Sequence, residues 1–232
     1  MMESEKAHIL HSFWKKKSIL RHLDAGEVAY LEEATEIRHY KRNEIVFLEG
    51  KRMMGSYVVL SGVVKQFRTG GEGRDYILRL AKPFELVGYR SALSDELACN
   101  TSTAIEDSSL FYIPTECLRR LVKTNGEFAL DLLQIACGEL QESHSLITDI
   151  AQKSVRQRLA ELLLTLKNKF GVNDAGQIDI SLTREELANV VGTATESVIR
   201  LLSEFKTERY IDVSGKRITI LNERVLENIA TL

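Results

Sequence analysis

The strongest constraint on the fold comes from one segment near the C-terminus, TREELANVVGTATESVIRLLSEFKT. Thr183 is followed three residues later by Glu186, which predicts a capping box at the start of a helix over REELANVV. Thr193 and Glu196 repeat that spacing, so we expect a second cap and a second helix, ESVIRLLSEFKTE. Gly192 lies at the junction, where a left-handed backbone conformation is needed. The segment therefore predicts two short helices joined by a tight turn.

The apolar positions of these two helices fit a steep crossing, with a small alanine where the helices come closest. They are Leu187, Ala188, Val191, Val198, Leu201 and Leu202. Two capped helices at this spacing are typical of the DNA-binding helix-turn-helix, whose second helix enters the major groove. The following segment, YIDVSGKRITILN, predicts a hairpin with a Ser-Gly turn, placed like a wing beside the DNA backbone. The alternative is a structural three-helix module with these charges on its surface.

We expect the start of the second helix to face the bases. Arginine can donate two hydrogen bonds to guanine, and glutamate can accept one from the amino group of cytosine. The candidate DNA-binding residues, taken from both helices and the wing, are Thr183, Arg184, Thr193, Thr195, Glu196, Ser197, Ile199, Arg200, Lys216 and Arg217.

The composition neither requires nor excludes DNA as a partner. The formal net charge is -2 and the pI is about 6.3, whereas nucleic-acid binders are usually basic. Residues 151–232 are slightly basic and residues 1–150 slightly acidic, which is a weak asymmetry. The three cysteines, Cys99, Cys117 and Cys137, form no CxxC pair, so we expect no disulfide framework and no structural metal. Without a signal-like or membrane-length apolar run, we expect a cytoplasmic protein with no membrane partner.

Residues 37–113 have a different character, with short apolar and β-branched runs broken by glycine. The runs EIVFLEG, SYVVLSGVVKQF, DYILRLA and SSLFYIP predict an antiparallel barrel or roll. After Pro114 the pattern becomes helical, with a long helix from about 126 to 152 and another over 155–170. We predict an α+β chain with a β-roll sensor domain over 1–125, a dimerisation helix over 126–153 and a winged helix-turn-helix over 154–232.

The long helix carries positions that recur at alternating spacings of four and three, which is the pattern of a coiled-coil seam. They are Leu133, Cys137, Leu140, His144, Ile147, Ala151 and Ser154. A seam needs a facing helix, and a second copy related by a twofold axis is the simplest partner. The alternative is a helix that packs only on its own domain.

From Ile19 to Leu221 the chain resembles the Crp/Fnr family of bacterial regulators. YKRNEIVFLEG and YVVLSGVVK resemble the family's roll strands, and TREELANVVGTATESVIRLLSEF resembles its DNA-binding signature. The resemblance implies a cyclic-nucleotide-binding-like roll, a homodimer on palindromic double-stranded DNA, and RNA polymerase as a partner. It places an effector pocket near Gly88, Tyr89, Arg90, Ser91, Cys99, Ser143 and His144.

Departures from the family pattern bear on the effector. Members that bind cyclic AMP have Gly-Glu-Leu and Arg-Ser stretches, where this chain has Gly88-Tyr89-Arg90 and Ala98-Cys99. A cyclic nucleotide would therefore lose two charge-assisted contacts of about 1.5–3 kcal/mol each, so cyclic AMP is not the expected effector. The chain also has no cysteine before Cys99, so we expect no 4Fe-4S cluster, which needs four thiolates.

Other functions remain as alternatives. A haem or redox sensor of the same family would use a histidine such as His144, or Cys137 on the seam. A regulator without any effector is a second possibility. An enzyme of the cupin kind would need a metal-ligand cluster in the roll, where residues 37–113 contain only His39, and a pure interaction module would leave the paired caps and Arg200 unexplained. With Thr195 in place of a leading arginine and with Glu196 and Arg200 retained, the second helix resembles the fumarate-nitrate reduction branch of the family, which implies a TTGA-like half-site. Thr195 can offer a methyl group to thymine but cannot form a forked contact to an outer guanine.

Overall fold

The computed structural model describes residues 19–71 and 73–231 of the chain. These residues divide into two compact units. The first unit contains residues 19–68 and 78–140, and the second contains 69–71, 73–77 and 141–231. No helix among the described residues has both the length and the apolar character that crossing a membrane requires.

The first unit opens with two helical segments. A short 3-10 helix spans Ile19–His22, and α1 spans Ala25–Ala34. The Asp24 side chain accepts a hydrogen bond from the Glu27 amide, and the Glu27 side chain accepts one from the Asp24 amide. This capping box satisfies two amides that the first turn of α1 would otherwise leave without partners.

The elements that follow α1 are six short strands, one short helix, two more strands and two helices. In chain order they are β1 (Glu36–Tyr40), β2 (Ile45–Phe47), β3 (Gly55–Ser61), β4 (Val64–Thr69), β5 (Asp75–Ala81), β6 (Leu86–Val87), α2 (Tyr89–Ser94), β7 (Thr101–Ala104), β8 (Ser108–Pro114), α3 (Thr115–Thr124) and α4 (Gly126–Gln152).

In the described part of the chain the strands up to β8 form two four-stranded sheets, ordered β1-β8-β3-β6 and β2-β7-β4-β5. Strand β8 pairs antiparallel with β1 and β3, so that Phe111 lies opposite Ile37 on one side and Val58 on the other. Leu110 and Phe111 are both completely buried. Since successive residues of a strand point to opposite faces, both faces of the sheet are covered at β8. The predicted antiparallel roll is confirmed.

Helix α3 and the first half of α4 pack on the core of the first unit. Helix α3 buries Cys117, Leu118 and Leu121 there. Helix α4 contributes one stripe of residues at helical spacing, of which the first two are buried and the next two are partly buried. These residues are Phe128, Leu132, Ile135 and Ala136.

The second unit is mainly helical. Its named elements beyond α4 are α5 (Val155–Phe170), α6 (Arg184–Val191), α7 (Thr195–Thr207), β9 (Ile211–Ser214), β10 (Arg217–Ile220) and α8 (Glu223–Thr231). Helix α5 contacts α6, α7 and α8 and supplies the completely buried Leu159 and Leu163. Phe205 of α7 and Leu226 of α8 are also completely buried. The unit therefore has its own hydrophobic core.

The predicted long helix is confirmed over Gly126–Gln152, but its seam is shorter than we expected. Ser154 lies outside α4 and is the N-cap of α5, where it forms a capping box with Gln157. Ser154 follows Ala151 by three residues, which is also a spacing of the seam. The spacing alone therefore could not distinguish a seam residue from the N-cap of the next helix. Strands β6 and β7 and helix α2 were not predicted.

Candidate functional site

Helix α6 begins and ends where the sequence predicts. The Thr183 hydroxyl accepts a hydrogen bond from the Glu186 amide at 3.0 Å, and the Glu186 carboxylate accepts one from the Thr183 amide at 2.7 Å. At the other end, Gly192 has φ 72° and ψ 53°, which is the left-handed conformation that glycine adopts without a steric penalty. The Gly192 amide donates to the Ala188 carbonyl, which closes the last turn of α6.

The predicted second capping box is wrong. Helix α7 begins at Thr195, its N-cap is Ala194, and no side chain caps it. The Thr193 amide donates to the Ala188 carbonyl at 3.1 Å, so Thr193 completes the closure of α6. Because α7 begins one residue later than the spacing predicts, Thr193 precedes the N-cap, and the N-cap position has an alanine that cannot form a capping box.

Helix α7 has one buried side and one exposed side. Val198, Leu201, Leu202 and Phe205 are buried against the rest of the second unit. On the other side Glu196 and Arg200 are exposed, Ile199 is 50% exposed, and Thr195 and Ser197 are half-buried. Within the described residues Arg200 makes neither a hydrogen bond nor an ion pair. The five candidate base-reading residues thus lie in the first two turns of one helix, and the charged ones, Glu196 and Arg200, are exposed at its surface.

The predicted wing is present as the antiparallel pair β9 and β10. Ser214 pairs with Arg217, so the turn consists of Gly215 and Lys216 rather than Ser-Gly, and Gly215 has φ 59°. Lys216 and Arg217 are both exposed. The hairpin therefore presents two cations at and beside its tip.

Arg184 has a different environment from the one its place in the candidate set suggests. It is half-buried at the start of α6, and its Nη2 donates to the Gly215 carbonyl at 2.8 Å. Burial lowers the pKa of its guanidinium group from the usual value. Arg184 therefore ties the start of α6 to the wing turn.

Two arginines of α5 that sequence reasoning missed hold the helix-turn-helix together. Arg158 donates to the Val191 carbonyl at 3.0 Å and to the Gly192 carbonyl at 3.5 Å, and so satisfies the end of α6. Arg156 pairs with Glu204 on α7 and, at 2.9 Å, with Glu208, the C-cap residue of that helix. The only available signal was the arginine-rich start of α5, which does not reveal contacts more than thirty residues away.

The first unit contains a pocket where β5, α2 and α4 meet, with about 270 Å³ of space that opens to solvent. Gly88, Tyr89, Arg90, Ser91 and Cys99, all predicted, line it. Phe47, Gln66, Arg79, Val87, Asn100 and Glu139, none of them predicted, complete the lining. Ser143 and His144, also predicted for this pocket, are exposed residues of α4 and do not belong to the lining.

Helix α4 also leaves a large apolar stripe uncovered within the described chain. Leu133 is 59% exposed, Leu140 is 57% exposed and Ile147 is 66% exposed. The same stripe contains three further exposed residues, of which Cys137 and His144 lie between these positions and Ala151 follows them. The six residues that belong to α4 among the predicted seam positions therefore share one exposed face of this helix.

Comparison with known proteins agrees with this architecture. Residues 37–125 match the model of the cyclic nucleotide-binding domain, and residues 157–229 match the model of the Crp-like helix-turn-helix domain. The chain belongs to the Crp/Fnr family of transcriptional regulators. Its relatives are regulators rather than enzymes.

Two curated relatives and one solved structure illustrate the match of this Crp/Fnr regulator. It is 26% identical over 207 residues to the "CRP-like cAMP-activated global transcriptional regulator" of Mycobacterium tuberculosis, covering 88% of this chain and 92% of that protein. It is 28% identical over 187 residues to the "Transcriptional activator protein Anr" of Pseudomonas protegens, covering 80% and 76%. FixK2 from Bradyrhizobium japonicum shares the fold, with a TM-score of 0.77, 22% identity, and coverage of 85% and 98%.

The two threonines that precede α6 and α7 provide a matched test of how this helix-turn-helix is capped. We expect Thr183→Ala to lower the free energy of unfolding by about 1 kcal/mol, because the Glu186 amide loses its acceptor. Thr193→Ala removes no cap and should change that free energy by less than about 0.5 kcal/mol. Urea denaturation followed by circular dichroism measures both. Equal losses in the two variants would mean that Thr193 is a cap after all.

Proposed function

We propose that this protein is a cytoplasmic regulator that binds DNA as a homodimer and reads a TTGA-like inverted repeat. The observation that carries the proposal is the free, exposed Arg200 on the outer side of α7, in a chain that also exposes an apolar stripe along α4. In this proposal the chain has three functional parts, which are a roll domain over 1–125, a dimer helix over 126–153 and a DNA-binding domain over 154–232.

The dimer part of the proposal rests on the two faces of α4. One stripe, beginning with Phe128 and Leu132, packs on the core of the first unit. The exposed stripe with Leu133, Leu140 and Ile147 lies on a different face, and its spacing of four and three suits a second identical helix. Exposed apolar surface of this kind marks a protein interface, and the twofold arrangement is the commonest for identical chains.

The base-reading part follows from the chemistry of the exposed side chains of α7. Arg200 is suited to donate to a guanine, and Glu196 is suited to accept from a cytosine amino group on the complementary strand. Thr195 offers a methyl group to thymine but cannot form the forked contact to an outer guanine. Ser197 and Ile199 lie beside them, and Thr193 and Arg184 support the turn and the wing.

The remaining candidate residues contact phosphate in this proposal. Lys216 and Arg217 at the wing tip are free, exposed cations within the described residues, which suits sequence-independent contacts with the DNA backbone. RNA polymerase is a further partner by analogy with the relative from Pseudomonas protegens, which is named as a transcriptional activator. Cyclic AMP, named for the relative from Mycobacterium tuberculosis, is not the effector we propose here, because Tyr89 and Ala98-Cys99 replace the residues that would hold it.

The dimer is tested by charging the exposed stripe of α4. The double variant Leu140→Lys, Ile147→Lys should sediment as a monomer and lose specific DNA binding, because like charges would face each other across the twofold axis. As a control, Glu142→Lys changes an exposed residue of α4 outside the predicted seam and should remain dimeric. A variant that stays dimeric with both lysines would exclude this face as the interface.

Base reading is tested by comparing Arg200 with Lys216. We expect binding-site selection to return a TTGA-like inverted repeat with half-sites about 34 Å apart, or one helical turn. Arg200→Ala should cost roughly 1–3 kcal/mol per half-site and relax the preference at the guanine.

Lys216→Ala is the matched control for a phosphate contact. It should weaken binding to all sequences alike and lower the slope of log affinity against log salt by up to about one unit. A selected half-site with two guanines flanking a thymine, TGTGA-like, would refute the role given to Thr195.

The effector assignment is tested by calorimetry with cyclic AMP. We expect no tight binding, because the pocket has Tyr89 where a ribose-binding glutamate would stand and Cys99 beside the lost arginine position. Adenosine, which lacks the phosphate, is the control for nonspecific uptake of the base. A dissociation constant in the low micromolar range for cyclic AMP would show that another group, such as Arg90, replaces the missing contacts.

A further inference from the structure

The pocket of the first unit holds a carboxylate that belongs to the chain itself. Glu139 of α4 pairs through Oε1 with Arg79 of β5, and its Oε2 accepts a hydrogen bond from the Tyr89 hydroxyl at 3.0 Å. Arg90 Nε lies 3.6 Å from the same Oε2. Two guanidinium groups and a phenol therefore converge on the two oxygens of one side chain.

The surroundings strengthen these contacts. The side chains of Arg79 and Glu139 are only 16% and 14% exposed, so water screens their attraction less than at the surface. Burial and the adjacent Glu139 charge raise the pKa of Tyr89 well above its usual value, which keeps the phenol protonated as a donor. The site is thus arranged to receive a negatively charged oxygen pair.

The Glu139 carboxylate that occupies the pocket comes from a different element than the side chains that contact it. Arg79, Tyr89 and Arg90 belong to the roll and its short helix, whereas Glu139 is sixty residues beyond Arg79 on the long helix. Arg79 also pairs with Glu85 at 3.0 Å, so the charged side chains named around the two Glu139 oxygens are two arginines and one glutamate. Such a site suits a singly charged oxyanion.

We propose that this pocket is a binding site for a singly charged oxyanion, which the chain fills with Glu139 as an internal ligand. An acidic effector binds only by displacing that carboxylate and releasing α4 at this point. Glu139 directly precedes Leu140 of the exposed stripe, so displacement acts beside the proposed dimer face. The pocket proposal stands on contacts in the first unit and does not depend on DNA binding.

Chemical complementation tests the proposal, because Glu139→Ala removes the carboxylate together with its Cγ, and a small free carboxylate such as propionate can return these groups to the pocket. We expect Glu139→Ala to lower the thermal midpoint, and sodium propionate at about ten times its dissociation constant to raise it again by roughly 3 °C. Propionamide, which is neutral, and sodium chloride at equal ionic strength should not. Wild type and the exposed control Glu142→Ala should not respond to propionate.

A parallel series with dimethyl phosphate distinguishes a carboxylate effector from a phosphodiester. A response to propionate alone assigns the site to carboxylates, and a response to both assigns it to singly charged oxyanions in general. No response of Glu139→Ala to either anion, or an equal response of all three proteins, would overturn the proposal.

Glu139→Gln keeps the test decisive if the alanine variant does not fold. Glutamine fills the same volume without the charge, so we expect a lower midpoint than wild type and no rescue by propionate. A midpoint equal to that of wild type would show that the pocket does not require an anion. These measurements use no DNA, so their failure leaves the proposed DNA-binding function untouched.

Discussion

The packing of one side of α4 on the roll is the interaction on which the other features depend. Phe128 is completely buried, and Asp131 is held by Arg21 at 2.6 Å, so the first turns of the helix are anchored to the core. Residues three and four positions apart share one face of a helix, so this anchoring fixes which face of the first half of α4 is turned away from the core. Leu133 and Leu140 lie on that exposed face.

The helix-turn-helix depends on a similar support from behind. Arg158 satisfies carbonyls at the end of α6, where four carbonyl groups of a helix lack partners within it. Arg156 lies 4.9 Å from the centre of the Phe205 ring in addition to its acidic partners on α7. Exposed ion pairs contribute little to stability, but a cation that completes a helix end also fixes geometry. Within the described part of the chain, Arg200 on the outer side of α7 takes no part in these contacts.

Local signals in the sequence predicted much of this arrangement. The Thr183 capping box, the left-handed Gly192 and the start of α4 at Gly126 each depend on residues only a few positions apart. The same reasoning failed at Thr193, because α7 begins one residue later and its N-cap is Ala194. The spacing of two residues predicts a capping box only if the helix begins at the expected position.

Features that depend on distant residues could not be predicted in the same way. Strand β6 has only two residues and exists because it pairs with β3, which no local pattern announces. Tyr89 and Arg90 were placed near a pocket, but Arg79 and Glu139, which determine its charge, were not. Their ion pair joins a strand to a helix that sequence patterning treats as separate.

The proposed homodimer follows from the limited sequence information that one helix can read. A good forked contact discriminates against a wrong base by about 1–3 kcal/mol, and the proposed function assigns that contact to Arg200, which has no hydrogen bond or ion pair within the described residues. A genome offers on the order of 10⁶–10⁹ competing sites, which demands several such contacts at once. In the proposed homodimer, two copies paired through α4 would double the number of bases read. In the proposed function, reading enough bases therefore requires both features: Arg200 of α7 reads a base, and the exposed stripe of α4 pairs two copies of the chain.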